Sequence, residues 1–191
     1  MTGETDDPVG FIFEMGLLKR ARRTGWWMAG VKDPESIAEH SFRTAIIGTV
    51  LAAMEGADPA RVCLLCTLHD TQETRTTDIP HIARRYVRPV ENEVVTADQV
   101  AACPANVAAV VSEAVAEYEA GATLEAIVAH DADKLECLVQ AVEYRSQGVT
   151  TVQPWIDSSR AALKTASAIR LAEDALAGNP LSWRATFRSE D

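Results

Sequence analysis

The residues best suited to chemistry lie together in the stretch 66–73, which holds a histidine, an aspartate and a glutamate within five positions. This stretch follows the apolar run 62–65, so we expect the helix that carries it to be buried. Burying ionisable groups is costly unless they are paired, hydrogen-bonded or bound to a metal. The adjacent pair His69 and Asp70 therefore predicts partners elsewhere in the chain.

The chain contains only four histidines, which limits the partners that could complete a metal site. His40 is the best placed, in the first turn of a helix that begins at the capping box Ser36–Glu39. A further carboxylate could come from the long helix near residue 130, which carries Asp131 and Asp133. Asp131 falls within the apolar stripe of that helix and Asp133 points away, but small residues opposite the stripe allow burial on both sides. Periodicity alone leaves both aspartates open.

The composition is that of an ordinary globular domain, with 191 residues, 47% of them hydrophobic and 24% charged. A formal net charge of −10 argues against binding to a nucleic-acid polymer, although it does not exclude a small phosphate compound. No secretory signal or membrane-spanning segment is recognisable. The four cysteines fit small core residues better than redox or zinc ligands. We therefore expect a cytoplasmic protein with no membrane partner.

The elements that must position these residues are helices, because 3.6-residue periodicity recurs along the chain and no alternating strand pattern is found. The pattern predicts an all-α fold of about eight helices in a single domain. That domain should cover residues 9–180, between a disordered tail over 1–8 and a C-terminal tail over 181–191. The main helices are expected over about 8–21, 37–55, 59–73, 106–119, 124–147 and 156–177.

Five ordered segments resemble the HD-domain metal-dependent phosphohydrolases. His40, then His69-Asp70, then a distant aspartate reproduce the order H…HD…D of that signature. The wider stretches are similar to the 5′-deoxynucleotidase branch, the YfbR-like proteins. These stretches are Leu18-Lys19 with Arg23-Thr24-Gly25-Trp26, Pro34 to Ser41, His69-Asp70 with Glu73, Asp78-Ile79-Pro80, and Ala132-Asp133-Lys134-Leu135-Glu136. The resemblance runs from about residue 11 to residue 147.

The resemblance implies an HD-domain helical bundle around a central metal site. Carried over by position, the metal ligands of the family fall on His40, His69, Asp70 and Asp133. The match to Ala-Asp-Lys-Leu-Glu selects Asp133 over Asp131. Such a set suits one divalent ion, Mn²⁺, Co²⁺, Fe²⁺, Zn²⁺ or, less well, Mg²⁺.

The same resemblance assigns the catalytic and substrate residues. The catalytic acid of the family falls on Glu73 and its second loop carboxylate on Asp78, while the phosphate-binding arginine and its neighbouring tryptophan fall on Arg23 and Trp26. Without the resemblance, Glu73 could be a surface acid at a helix end and Asp78 could cap the next helix. Thr77 stands where the family often has glycine.

The implied activity is removal of phosphate from (deoxy)nucleoside 5′-monophosphates. The resemblance also implies a homodimer that binds a small-molecule nucleotide as substrate, with no nucleic-acid polymer as partner. Two-metal HD enzymes usually need extra histidines between the HD pair and the last aspartate, where this chain offers only His81 and His130. We therefore expect a single metal ion. The alternatives are an HD phosphohydrolase that acts on another nucleotide, triphosphates included, or on another phosphate ester, and a helical binding or regulatory protein with a vestigial site.

Overall fold

A computed structural model describes residues 7–187, in which the chain forms ten α-helices and no β-strand. The all-α prediction is confirmed. The α-helices are α1 (Pro8–Met15), α2 (Gly25–Met28), α3 (Ile37–Glu55), α4 (Pro59–Leu68), α5 (Glu73–Thr76), α6 (Asn92–Gln99), α7 (Ala105–Ala120), α8 (Leu124–Ser146), α9 (Gln153–Ala162) and α10 (Ala166–Ala177). Short 3₁₀ helices cover Gly16–Lys19, His81–Arg85, Thr150–Val152 and Ser182–Phe187.

Local capping signals set the starts of the two helices that lead into the proposed site. Ser36 Oγ accepts a hydrogen bond from the backbone N–H of Glu39, and the Glu39 carboxylate accepts one from the backbone N–H of Ser36. This reciprocal pair is the capping box expected from the sequence. The Asp58 carboxylate caps α4, whose first residue is Pro59. Both predicted helix starts are confirmed.

The longest helix, α8, forms the centre of the fold and packs against α3, α4, α7, α9 and α10. Because neighbours cover it on opposite sides, Asp131 and Asp133 are both buried, at 1% and 8% exposure. A helix covered all round has no single apolar stripe. That arrangement explains why periodicity could not choose between the two aspartates.

The expected helix over 156–177 is wrong, because the chain breaks into α9 and α10 at Leu163–Thr165. The buried carboxylate of Asp131 accepts hydrogen bonds from the backbone N–H groups of Lys164 and Thr165 and from the Thr165 hydroxyl. These bonds satisfy a carboxylate that would otherwise be buried unpaired. Asp131 thus stabilises the break between α9 and α10.

Helices α3 and α4 approach each other closely at Gly48. A Cβ atom at this position would lie 2.6 Å from Cys66 Sγ and 3.0 Å from Val62 Cγ1, closer than real side chains allow. A side chain there would force the two helices apart. The absence of one lets α3, which carries His40, pack against the helix that ends just before His69.

The predicted tails over residues 1–8 and 181–191 fall only partly within the described residues. Parts of those tails, residues 1–6 and 188–191, lie outside the described residues. Pro8 begins α1, and the backbone N–H of Asp7 donates to the Ala102 carbonyl. At the other end, residues 182–187 form a 3₁₀ helix. The domain limits 9 and 180 stay predictions. Within the described residues, no helix combines the length and apolar character needed to span a bilayer.

Candidate active site

A cavity of about 770 Å³ opens beside α8 and collects most of the predicted site residues in one place. His40 lies behind its wall with 0% exposure. The other seven predicted residues line it: Arg23, Trp26, His69, Asp70, Glu73, Asp78 and Asp133. Residues from four separate parts of the chain therefore face one volume, which is large enough for a nucleotide-sized ligand.

Two histidines and two aspartates converge at the base of this cavity. His40 Nε2 lies 3.3 Å from Asp133 Oδ1 and 3.6 Å from Asp70 Oδ2, and His69 Nε2 lies 3.1 Å from the same Asp70 oxygen. Single ligand atoms of His40, His69 and Asp133 all lie within 4.8 Å of one another. A mixed set of imidazoles and carboxylates at such separations suits a first-row divalent ion.

The hydrogen bonds behind the two imidazoles direct their other nitrogens toward that point. His40 Nδ1 lies 2.5 Å from Glu136 Oε2, and His69 Nδ1 lies 2.7 Å from the Cys66 carbonyl. Since both partners are acceptors, each Nδ1 carries a proton, and each Nε2 is the ring nitrogen that a metal ion would bind in place of a second proton. Both Nε2 atoms are buried without a hydrogen-bond partner among residues 7–187. Outer partners of this kind typically fix metal-binding histidines, so these residues fit a metal ion.

The electrostatics of the cluster also favour a cation. Burial and Arg23 oppose protonation of His40, but Glu136 and Asp133 outweigh them and raise the pKa of His40 to about 10. Burial likewise opposes ionisation of Asp70, yet His69, Arg23 and His40 hold the pKa of Asp70 below its usual range. The carboxylates therefore stay ionised and attract positive charge to the point where the ligand atoms meet.

Asp133 and Asp131 differ in what surrounds them. Asp133 Oδ1 faces His40, and Asp133 Oδ2 accepts a hydrogen bond of 2.8 Å from Lys134 Nζ. The carboxylate of Asp131 is taken up by the Lys164–Thr165 backbone. Asp133 is therefore the aspartate of α8 that the fold brings to the histidines.

The stretch that carries the His-Asp pair is not the continuous helix expected over 59–73. Helix α4 ends at Leu68, and residues 69–72 form tight turns before α5 begins at Glu73. The Glu73 N–H bonds to the Asp70 carbonyl, an i to i−3 contact. The tighter winding still turns Glu73 toward the same cavity as His69 and Asp70.

Glu73 is a half-buried acid beside the cluster. Burial and the carboxylates of Asp70 and Asp78 together raise the pKa of Glu73 to about 9, although Arg23 and His40 act in the opposite direction. Its Oε2 atom is buried and has no hydrogen-bond partner in the described part of the chain. A carboxyl group that holds its proton near neutral pH and faces a cavity can serve as a general acid.

Arg23 reaches the cluster from the loop before α2. Its Nη1 atom lies 3.3 Å from Asp70 Oδ2, and its side chain lines the cavity. The Asp78 carboxylate accepts a 2.7 Å hydrogen bond from the backbone N–H of Thr24, and the Thr24 hydroxyl donates to the Asp78 carbonyl. Asp78 therefore ties the Arg23 loop to its own loop. It does not cap the following 3₁₀ helix, which has no side-chain cap.

Trp26 contributes a wall rather than a polar contact. Its side chain is 2% exposed, and its indole N–H donates to Glu35 Oε1 at 2.9 Å. The ring stacks on Trp155, with centroids 5.6 Å apart, and meets Tyr144 edge-on. Because Glu35 occupies the indole N–H, only the ring of Trp26 is free to face a ligand.

Thr77 adopts a backbone conformation that ordinarily requires glycine, with φ of 61° and ψ of 162°. For a β-branched residue this region costs on the order of 1–3 kcal/mol. The strain lies directly before Asp78, whose contacts to Thr24 hold the loop in place. The family's usual glycine would meet the same backbone demand without that cost.

Thr77→Gly is therefore expected to raise the free energy of unfolding by about 1 kcal/mol, since relief of strain exceeds the added flexibility of glycine in the unfolded chain. Urea unfolding measures the difference. Thr76→Gly is the matched control, because Thr76 is helical and its replacement should destabilise the protein by about 0.5 kcal/mol. A loss of stability in both variants would contradict the strain.

The charged residues behind His40 were not singled out from the sequence. Glu136, with 0% exposure, accepts hydrogen bonds from His40 and from Arg43, and Arg43 also pairs with Glu143 and Gln140. Glu136 belongs to the recognised motif segment, but nothing in the sequence shows that its side chain turns toward α3. Because the Glu136 carboxylate already accepts hydrogen bonds from both Arg43 and His40, we assign it to orienting His40 and not to binding a metal ion.

A family model described as HD domain matches residues 15–170. The 5′-deoxynucleotidase hdd1 of Schizosaccharomyces pombe is 32% identical over 142 residues, which cover 71% of this chain and 71% of that protein.

Solved structures share the fold. A conserved hypothetical protein from Pyrococcus furiosus is 28% identical with a TM-score of 0.74, and the match covers 89% of this chain and 99% of that one. The cyanophage S-2L HD phosphohydrolase DatZ, bound to dA and one catalytic Zn²⁺ ion, is 17% identical with a TM-score of 0.52, over 86% of this chain and 91% of that one. At such identity this second likeness shows the fold alone.

Proposed function

This chain belongs to the HD-domain family and groups there with the 5′-deoxynucleotidases, and on that premise we propose that it removes the phosphate of (deoxy)nucleoside 5′-monophosphates. The observation that carries the proposal is the meeting of two unpartnered imidazole nitrogens and two carboxylates at the base of a cavity. Such a site suits phosphate hydrolysis better than passive binding, because an acid, Glu73, and a cation, Arg23, face the same volume.

One divalent ion would be held by His40, His69, Asp70 and Asp133. When bound, such an ion neutralises phosphate charge and lowers the pKa of a coordinated water. His81 and His130 lie outside this set: His130 Nε2 bonds to the Tyr118 carbonyl, and His81 is exposed. These positions support one ion per chain.

Other side chains of the cavity would bind and position the substrate. Arg23 would bind the substrate phosphate, since a guanidinium can bridge two phosphate oxygens. Asp78 would keep the Arg23 loop in place through Thr24. Trp26 would close the wall beside the nucleoside.

Glu73 would deliver the proton that the leaving group needs. Water adds to phosphorus as the bond from phosphorus to O5′ breaks, and the oxygen that departs takes a proton from the Glu73 carboxyl group. The products are a nucleoside and inorganic phosphate. A proton donor fixed next to the leaving oxygen contributes about 10²–10⁴-fold to the rate of such a step.

A substrate panel tests the proposal. Protein purified without chelators should contain about one divalent ion per chain. With Mn²⁺ or Co²⁺ it should release phosphate from 5′-deoxynucleotides and not from 3′-nucleotides. Release of phosphate only from triphosphates or from other esters would indicate an HD phosphohydrolase with a different substrate. Metal binding without turnover on any compound in the panel would favour a binding protein and reject the proposed activity.

We also propose that the chain forms a homodimer through α3. Phe42, Ile46, Val50 and Met54 recur every four residues on one face of this helix and are 36% to 71% exposed. They are symmetric about position 48, so an antiparallel second copy can set Phe42 against Met54 and Ile46 against Val50. Sedimentation equilibrium should give twice the chain mass, and a monomer at micromolar concentration would reject this. The cytoplasmic location stays a prediction.

A further inference from the structure

Trp155, in the first turn of α9, contributes a partly exposed indole ring to the wall of the cavity. Two other large aromatic side chains line the same cavity, Trp26 and Tyr118, but these residues are only 2% and 7% exposed. Among these three rings, Trp155 is therefore the one that a ligand could cover over an appreciable area.

Contacts with α2 and its flanks hold the Trp155 ring in place. The ring stacks on that of Trp26, with centroids 5.6 Å apart and an angle of 30° between the planes. Trp155 Nε1 lies 3.2 Å from the point where a Cβ atom of Gly25 would stand. The Thr151 hydroxyl, just before α9, donates a hydrogen bond to the Ala29 carbonyl, just after α2. Since Trp26 covers one face and Gly25 lies at the Nε1 edge, the other face is left to line the cavity.

The cavity has room beyond the groups that would bind a phosphate. Its volume of about 770 Å³ is that of a site for a whole nucleotide-sized ligand. Arg23 and the proposed metal ligands meet at its base, where Arg23 Nη1 lies 3.3 Å from Asp70 Oδ2. Trp155 lines the same cavity next to Gly25, only two residues after Arg23. A phosphate at the base therefore leaves the rest of a 5′-nucleotide within reach of this ring.

We propose that Trp155 binds the nucleobase of the substrate, which stacks on the ring face that Trp26 leaves free. The inference rests on the proposed function for a substrate that carries a base. Every base has a π-face, so stacking on an aromatic ring tolerates purines and pyrimidines alike. The competing role is structural, in which Trp155 only supports Trp26 and the Arg23 loop.

Two phosphonates test the contact without turnover, because neither has the ester bond that the reaction would break. The methylenephosphonate analogue of deoxyadenosine 5′-monophosphate carries a base, and methylphosphonate does not. Titration calorimetry on the Mn²⁺-loaded native protein should show tighter binding of the nucleotide analogue. In Trp155→Leu the Kd of the analogue should rise about 10–100-fold, the loss of one base–aromatic stack, and the Kd of methylphosphonate should change less than about twofold. Trp155→Phe keeps a ring and should restore most of the affinity.

The matched control is Trp183→Leu, because Trp183 is 62% exposed and lies outside the cavity lining. Neither Kd should change in this variant. His81 and Arg84 line the cavity from the 3₁₀ helix His81–Arg85 and could also stack on a base. In His81→Ala and Arg84→Ala, the ratio of the two Kd values should stay at its native level, even where the loss of a charge weakens the binding of both phosphonates.

The native protein loaded with Zn²⁺ gives a second measurement that does not depend on the folding of a variant. The base protons of the bound analogue should show nuclear Overhauser contacts with the indole protons of Trp155. Contacts with other side chains and none with Trp155 would overturn the inference.

Three calorimetric results would also overturn it. The first is a native protein that binds the analogue no more tightly than methylphosphonate. The second is an equal rise of both Kd values in Trp155→Leu, which would assign Trp155 to positioning the Arg23 loop. The third is a change of the ratio in His81→Ala or Arg84→Ala and none in Trp155→Leu.

The substrate panel fails or succeeds independently of this test. If no compound releases phosphate while Trp155→Leu still loses affinity for the analogue alone, the proposed activity is wrong and the base contact stands. If the panel succeeds and Trp155→Leu binds the analogue as tightly as the native protein, the activity stands and the base contact is wrong.

Discussion

Glu73→Gln should lower kcat by about 10²–10⁴-fold while leaving the metal content at one ion per chain. Glutamine has the same shape as glutamate but no proton to deliver to the leaving oxygen. The four proposed metal ligands are untouched, and Glu73 Oε2 makes no hydrogen bond within residues 7–187 that the change would break. KM should change little, since Glu73 is assigned no role in holding the ground-state phosphate.

The comparison that isolates the chemistry is Glu113→Gln, which removes one exposed carboxylate from α7 away from the cavity. This control should retain full activity. Metal analysis and steady-state kinetics on the same preparations separate the two parts of the site. If Glu73→Gln kept more than about a tenth of native kcat with its metal in place, proton transfer would have to be assigned elsewhere.

Glu136→Ala should have the largest effect on stability, lowering the free energy of unfolding by about 3–5 kcal/mol. The change leaves the His40 Nδ1–H without its acceptor and Arg43 without its buried partner. The same loss should weaken metal binding by about 10–100-fold, because nothing then holds the His40 ring with Nε2 toward the cluster. Urea unfolding and a metal titration measure the two effects.

Glu143→Ala is the control, since Glu143 pairs with the same Arg43 but its side chain is 33% exposed. An exposed pair of this kind is worth about 0–1 kcal/mol, and metal affinity should stay at the native value. Equal losses of stability in the two variants would show that the whole Arg43 network matters. Unchanged metal affinity in Glu136→Ala would show that His40 is oriented by its own packing.

The sequence predicted what depends on local chemistry. The capping box at Ser36 and the Asp58-Pro59 start need only a few neighbouring residues, so both could be read directly. The order of His40, His69-Asp70 and a later aspartate identified the family because metal ligands tolerate little change of type. Whether each of these residues binds the metal stays a prediction until the metal is measured.

Other features depend on contacts between distant segments and left no local mark. The sequence at the break between α9 and α10 contains no glycine or proline that would predict it. The residue that stabilises the break, Asp131, lies more than thirty residues earlier in the chain. The same partnership explains why Asp131 is buried without joining the cluster. From the sequence, Glu136 has the appearance of an ordinary helix residue, since only the packing of α8 on α3 brings its side chain to His40.

The helix crossing at Gly48 bears on which ions the site could take. Cys66 Sγ lies only 2.6 Å from where a Cβ atom of residue 48 would stand, so α3 and α4 are in close contact there and their packing restrains the distance between His40 and His69. A frame of packed helix backbones cannot expand as a flexible loop can. Calcium prefers ligand distances of about 2.3–2.6 Å and six to eight oxygens. Because the packed helices hold the two imidazoles at a fixed separation, we expect the site to bind calcium poorly, since calcium needs longer ligand distances and more oxygen ligands than this set offers.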